Sequence, residues 1–518
     1  MKKTVFILLT LALSLGCSKY LEETPTSFVD RANYFKTEAQ CRTAVNSCYE
    51  GLKNTYTTNL FTHLEGTTDL VYVPSVSDVN AILDINPSQC SISETIWTNA
   101  YKAVMYCNAA IAGIGNSTSV DESVRRNLVA EAKTMRAFWY YLLTSTFGDV
   151  PFYTDDVVDQ PTMDRIAHLG RMDAVATRAA LIKDLQECYS YDGNAYTGAL
   201  SQVRANDASE KGRAGWAMGM MLIGKMALWN ACTDTSSGTD WYGTAISALE
   251  RLVPVYGALS QYPLADLLFS VKDAPERIFE IRHVYEQGTL SYAGTLAQNC
   301  MPSYSTSTQL YDGIEVPILG TEAKVGTCNR PTSYFYGAVQ PDNGQDQRVD
   351  INQGRRYEGK AFTNGISVPW MGIKFWCPYM KTTYDSNNYP VFRYADALLM
   401  LAECYCARQD KENFEKYLNE VRSRAGLQAY SVGNWDKAVQ ELRDERAREL
   451  FGEFQRKFDL VRWGIWYDSV KEYWLAEMTT RKIPVHLQRC HRYLPIPIRE
   501  VVNSGNALDN KEYNAYGL

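Results

Sequence analysis

The sequence predicts a mostly α-helical protein in which helical hairpins stack into a curved scaffold interrupted by a large loop-rich insertion. Three observations carry that reading. Apolar residues recur at helical spacing over 31–60, 96–143, 213–257 and 393–464. The period then vanishes over 258–392, where Gly, Pro, Tyr, Asn and Ser dominate. Finally, a single amphipathic hairpin cannot bury its apolar face, so such pairs must pack on one another.

At the N-terminus, Lys2 and Lys3 precede an apolar run from Val5 to Leu15. A bilayer span needs roughly 20 residues, so this shorter run reads as a secretory signal. It ends in Leu-Ser-Leu-Gly-Cys, the pattern of a bacterial lipoprotein signal, which makes Cys17 an acylated anchor. Residues 1–16 are then the signal peptide and 17–30 a polar, lipidated tether. From 31 the chain forms one domain, with its helical scaffold at 31–257 and 393–518 and the loop-rich region at 258–392.

Within that scaffold, Tyr34, Ala39, Ala44, Cys48 and Leu52 mark the first helical stretch. Residues 66–96 read as an irregular loop, and 96–114 as an amphipathic helix. Ser119 and Glu122 have capping-box spacing and are expected to open the next helix, which carries Val124, Leu128, Ala132, Met135, Trp139 and Leu143. Gly148 and Pro151 end it. Residues 213–257 form a hairpin around the turn 233–239. Inside the insertion, 276–284 (ERIFEIRHV) reads as a short strand or helix. Residues 395–427 form two arms ending at Gly426, close to the ~34-residue tetratricopeptide unit. A second pair spans 434–464, and the tail with Pro495 and Pro497 is expected to be extended.

Composition narrows the function. The net charge of −7, with no basic block, argues against nucleic acid and anionic membrane surfaces as partners. The 35 Tyr outnumber the 17 Phe and 11 Trp, an excess typical of recognition surfaces. Among 13 cysteines, Cys41, Cys48, Cys107, Cys188 and Cys404 fall in apolar helical patterns, as small hydrophobes do; Cys404 and Cys406 match neither a redox nor a zinc pair. The five histidines form no metal cluster or triad motif, and no phosphate-binding or nucleophile-elbow motif occurs. No cofactor and no metal are expected.

Six segments resemble the SusD/RagB family of Bacteroidetes outer-membrane lipoproteins. They are YLEETPTSFVDRANYFKTEAQ (20–40), AEAKTMRAFWYYLLTSTFGDVPFY (130–153), FRYADALLMLAECY (392–405), LNEVRSRAGL (418–427), LRDERARELFGEFQRKFDLVRWG (442–464) and YLPIPIREV (493–501). The resemblance implies a tetratricopeptide-containing α-helical fold and a surface-facing outer-membrane lipoprotein. It implies a lid over a SusC-like TonB-dependent transporter, delivering glycans or, in some members, peptides. It transfers no ligand-contact residues, because those vary between members.

The richest charged cluster comprises Glu441, Arg443, Asp444, Glu445, Arg446, Arg448, Glu449, Glu453, Arg456, Asp459 and Arg462. A carboxylate pair could serve glycoside hydrolysis, but acids and bases alternate here at helical intervals, as in Asp444 and Arg448. Such pairs stabilise a helix by about 0.2–0.5 kcal/mol each and oppose the raised pKa of a general acid. The cluster therefore reads as structural and the protein as non-enzymatic. Asn230–Asp240 offers oxygen atoms but lacks the EF-hand order, and reads as a turn.

Sugar binding calls for exposed aromatic faces with polar neighbours. Trp97, Tyr101, Trp139, Tyr140 and Trp463 lie in helical patterns and read as packing. The aperiodic stretches, expected to carry the ligand face, supply the candidates Tyr72 with Asp69 and Asp78, then Tyr292, Tyr304, Tyr311 and Trp370. The expected function is glycan capture for the transporter. A peptide ligand is the alternative on the same scaffold, and a ligand-free lid is a third reading.

Overall fold

The computed structural model describes residues 34–74, 77–189, 212–285, 292–305, 307–315, 329–363, 365, 367–377, 380 and 382–518. The signal peptide, Cys17 and the tether lie outside these. The expected helical scaffold is present. Helix α1 (Glu38–Ser47) opens with a capping box between Thr37 and Gln40. The helical stretch expected over 31–60 breaks at Gly51, whose φ of 91° only glycine adopts readily; one helical turn follows at Leu52–Thr55, and then α2 (Thr58–Leu64).

Two short residues of strand, β1 (Val71–Tyr72), interrupt the expected loop. Helix α3 (Ser91–Gly115) begins five residues earlier than the apolar pattern suggested, and α4 (Glu122–Phe147) packs along it. Asp121, not Ser119, caps α4: its carboxylate accepts from the Ser123 amide at 2.8 Å. Asp121 directly precedes the first helical residue, so it reaches the free amides that Ser119 cannot. The helix stops at Gly148, where φ is 73°.

Next come α5 (Ala174–Cys188), α6 (Trp216–Thr233) and α7 (Trp241–Leu249). The last two form the expected hairpin. Its turn is fixed by Asp234, which accepts from the Ser236 and Ser237 amides and from Trp241 Nε1. Past the insertion, α8 (Tyr394–Ala407) and α9 (Lys411–Arg424) form the tetratricopeptide-like pair, followed by α10 (Trp435–Glu449), α11 (Arg456–Arg462) and α12 (Leu475–Thr480). Successive hairpins stack: α4 and α6 on α5, α7 on α8, α8 on α10. The shared core includes Phe138, Trp139, Tyr141, Trp229, Phe392 and Phe458. Each such side chain stabilises the fold by about 1.5–3 kcal/mol on burial. The tail is extended only through Pro497; Ile498–Asn503 is a short helix, because proline fits just ahead of a helical start.

The insertion is built from short paired strands: β2 (Arg277–Ile281), β3 (Tyr304–Ser305), β4 (Leu310–Tyr311), β5 (Arg330–Pro331), β6 (Gln353–Gly354), β7 (Arg356–Tyr357), β8 (Lys360–Ala361), β9 (Trp370–Met371) and β10 (Tyr389–Arg393). β2 and β10 pair antiparallel, closing the insertion at its base and leading directly into α8. β1 pairs with β5, β6 with β9, and β5 lies beside β9, so residues from four distant segments meet in one place. Two small apolar clusters hold this region. One contains Ala297, Met301, Tyr311, Phe362, Trp370 and Trp376. The other joins Tyr72 to Leu460, Trp466, Val470, Trp474 and Met478. Among the described residues, no helix is long and apolar enough to cross a membrane.

Candidate functional site

The charged cluster of the C-terminal half is structural, but not as surface pairs along one helix. It is buried and tertiary. Glu449 accepts from Arg348 at 2.9 Å, from Arg393 at 3.0 Å, and from Arg424. Arg393 also holds Glu276 and Glu453, and Arg348 also holds Glu445 and Asp346. A second knot joins Lys225, Asp396, Arg446 and Asp459, with Arg462 linking Asp459 to Glu403. The expected Asp444–Arg448 partnership does not form: Arg448 turns to Glu441 and Glu445, and Asp444 accepts from Gln440. Burial alone would raise the Glu449 carboxyl, but Arg424, Arg393, Arg348 and Lys374 hold it below the usual range. Such a carboxylate cannot serve as a general acid.

Most of the aromatic candidates from the aperiodic stretches turn out to be buried. Tyr72 is 0% exposed, in β1, because its ring fills the cluster with Trp466 and Trp474. Tyr311 and Trp370 are buried in the other small cluster, since the short strands need apolar side chains beneath them. Asp69 is buried too, its carboxylate held by Arg456 at 2.7 and 2.9 Å. Asp78 turns inward on its own loop, accepting from the Asn80 and Ala81 amides. Tyr304 is half-buried, its ring 4.6 Å from Tyr311 and its hydroxyl on Gln309. Only Tyr292 stands out into solvent, at 65% exposed. Of the helical aromatics, Trp97, Trp139 and Tyr140 are buried, while Tyr101 and Trp463 are half-buried against the core clusters.

The buried residues nevertheless mark a place. Tyr72 pairs across the strands with Arg330. The Arg330 guanidinium lies 3.1 Å from the centre of the Trp370 ring and donates to the Val368 carbonyl. Trp370 Nε1 donates to Asp312. Arg481 covers the Tyr72 ring at 4.5 Å and pairs with Glu477 at 3.0 Å; Glu477 also accepts from the Ser333 amide. Arg355 lies 5.4 Å from the Tyr336 ring. Tyr334 stacks on Tyr473, with ring centres 3.7 Å apart and planes at 14°.

Tyr334, Tyr336 and Tyr473 are half-buried and were missed from the sequence. Two of them ride on π-type helical turns: Tyr336 on Phe335–Val339 and Tyr473 on Val470–Trp474. Such turns recur at functional sites and rotate a side chain off the ordinary helical stripe. The one available signal was the closely spaced Tyr334 and Tyr336 within the aperiodic region. Burial pushes the Tyr336 hydroxyl above its ordinary range, with Glu477 raising it further and Arg481 and Arg355 opposing. The result is a face of aromatic edges, guanidinium groups and one carboxylate, suited to hydrogen-bonding a polar ligand.

A scaffold of stacked hairpins with an arginine–tyrosine face built on its loop insertion defines a helical binding protein. Comparison with known proteins narrows the class. The SusD family model matches residues 378–513, and a model described as starch-binding, associating with outer membrane, matches 19–190. SusD-like protein P25 of Formosa agariphila is 25% identical, covering 94% of each chain. The starch-binding protein SusD of Bacteroides thetaiotaomicron is 24% identical over 74% of this chain and 72% of its own. Among solved structures, a SusD homolog from Bacteroides thetaiotaomicron superposes with a TM-score of 0.70 at 22% identity, covering 92% of this chain and 98% of that one. Surface glycan-binding protein A from the same species, in complex with laminarihexaose, gives 0.68 at 20% identity, covering 91% and 98%. The chain thus matches SusD-type family models near both ends and is similar to SusD-like proteins over most of its length.

Proposed function

We propose that this protein is a non-enzymatic glycan-binding lipoprotein of the outer-membrane surface. It is anchored through Cys17, folds as one domain from residue 31, and passes oligosaccharides to a partner TonB-dependent transporter. The observation that carries the reading is the half-buried face around Tyr334, Tyr336 and Tyr473, with Glu477, Arg330, Arg355 and Arg481 beside it. Ring edges and fixed donors and acceptors are what hydroxyl-rich ligands need. Tyr304 and the exposed Tyr292 extend the proposed contacts. The starch-binding and laminarihexaose-bound relatives support the ligand class. Modest affinity suffices, because co-tethering with the transporter raises the effective concentration.

Calorimetry of the purified protein against a panel of neutral and charged oligosaccharides and a peptide mixture tests this. Heat with at least one glycan, weakened in Tyr336→Ala and Tyr473→Ala, is the expected result. Heat with peptides alone selects a peptide-uptake protein on the same scaffold. New reducing ends after incubation with a bound glycan overturn the non-enzymatic assignment.

A further inference from the structure

We infer that the helical scaffold carries a second saccharide-binding cavity, separate from the strand junction, that takes a neutral, hydroxyl-rich sugar; the inference rests on the glycan reading above. The cavity holds about 430 Å³ and lies between α3, the segment after α4 and two short helices, Gln160–Ala167 and Ile498–Asn503. Small-ligand sites span about 300–1,000 Å³, so the volume suffices. None of its lining residues belongs to the insertion or to the face around Tyr336 and Tyr473. Neither short helix buries a side chain, so the two stand as walls around an opening rather than as core.

One wall is aromatic. Trp97 and Tyr101 lie a turn apart on α3, with ring centres 4.7 Å apart, and Tyr153 lies parallel to Tyr101, at 8° and 6.3 Å. The Tyr101 hydroxyl donates to the Pro151 carbonyl at 2.8 Å, which fixes its half-buried ring before a ligand arrives. The polar lining, by contrast, is unengaged. The side chains of Thr98, Arg499, Glu500 and Asn503 make no hydrogen bond or ion pair among the described residues. They offer a hydroxyl, a guanidinium, a carboxylate and a carboxamide. Sugar hydroxyls both donate and accept, so they match such a mixed set, while the C–H face of a sugar ring suits the aromatic wall. Arg499 and Glu500 carry opposite charges, so the pair gives no net sign that would select a charged ligand. A wholly apolar ligand would cover these polar groups without replacing their water.

Calorimetry of the purified protein with laminarihexaose, maltohexaose, cellohexaose and xylohexaose tests this, alongside two sets of variants. Tyr336→Ala combined with Tyr473→Ala weakens the strand-junction face. Glu500→Gln combined with Asn503→Ala, and separately Thr98→Trp, which fills the cavity from its rim, disable the cavity. Thr98, Glu500 and Asn503 are not buried, so the fold should persist, and an unchanged melting temperature checks it. We expect at least one hexasaccharide to keep binding after the two tyrosine changes. Adding either cavity change to that protein should weaken the remaining binding about tenfold or more, as the loss of hydrogen bonds to a charged group does. Hexasaccharide binding that neither cavity change alters overturns the second site and leaves the glycan reading standing. No heat with any of the four sugars overturns the cavity assignment, and the wider panel above then decides the glycan reading by itself. Heat with the peptide mixture alone overturns both.

Discussion

Two buried carboxylates, one in each half of the molecule, behave in opposite ways. Glu449, at the end of α10 in the helical scaffold, is surrounded by Arg348, Arg393 and Arg424 and stays ionised. Asp385, in the loop insertion, is equally hidden but is met by backbone amides, from Ala297 at 2.9 Å and Asn387 at 3.0 Å. Burial pushes the Asp385 carboxyl up to about 6 despite those amides. The contrast extends to the arginines. Around Glu449 each guanidinium is matched to carboxylates; at the strand junction Arg330 and Arg355 of the insertion, and Arg481 from beyond it, also lie on aromatic rings. Charge around Glu449 holds helices together, whereas charge at the strand junction is shared between ion pairs and ring faces.

The sharpest way to break that comparison is to unbalance the scaffold. Glu449→Gln leaves three buried arginines short of a partner and should destabilise the protein by about 3–5 kcal/mol in chemical denaturation. Because the Glu449 carboxyl titrates below its usual 4.5, its contribution is present above that pH and drains away as pH falls below it. The variant should lose that acid sensitivity.

Asp385 should show the reverse sign. Its folded-state carboxyl, at about 6, holds a proton more tightly than the ordinary 3.8 of an unfolded chain. Stability is therefore full below about pH 4 and declines as pH rises through 6, by roughly 3 kcal/mol at 1.36 kcal/mol per unit. Asp385→Asn should flatten the denaturation profile across that window. If both variants shift stability in the same direction with pH, the contrast between the two halves is wrong.

Next in size come the ring removals. Tyr336→Ala and Tyr473→Ala should each weaken glycan binding by about 1–2 kcal/mol in calorimetry, an amount typical of lost aromatic contacts. The melting temperature should move by only a few degrees, since both rings are half-buried. The smallest effect is local to α4: Asp121→Ala removes the N-cap and should cost about 1 kcal/mol, with ligand affinity unchanged.

Much of the scaffold was legible because it obeys one period. The α6–α7 hairpin with its turn, the α8–α9 pair and the break at Gly148 all follow from apolar spacing and helix-ending residues. Ends were less legible: Ser119 and Asp121 are both competent caps, and which one serves depends on where the backbone turns. The proposed ligand face was hardest. Tyr72 and Trp370 stood out as loop aromatics, yet short strands need buried rings of their own, so the same residue types became local core. Tyr473 was hidden for the converse reason, lying in a helical stretch where aromatics usually pack.

By itself, the order of residues determined that this chain would build stacked amphipathic hairpins and where that pattern would lapse, because helix periodicity and termination are local properties. Only the tertiary structure decided which charges and rings would meet. Tyr72, Arg330, Trp370 and Arg481 come from segments far apart in the chain, and they converge because strand pairing and core packing bring them together. Proximity of that kind is set by three-dimensional closure, which spacing along a chain does not encode.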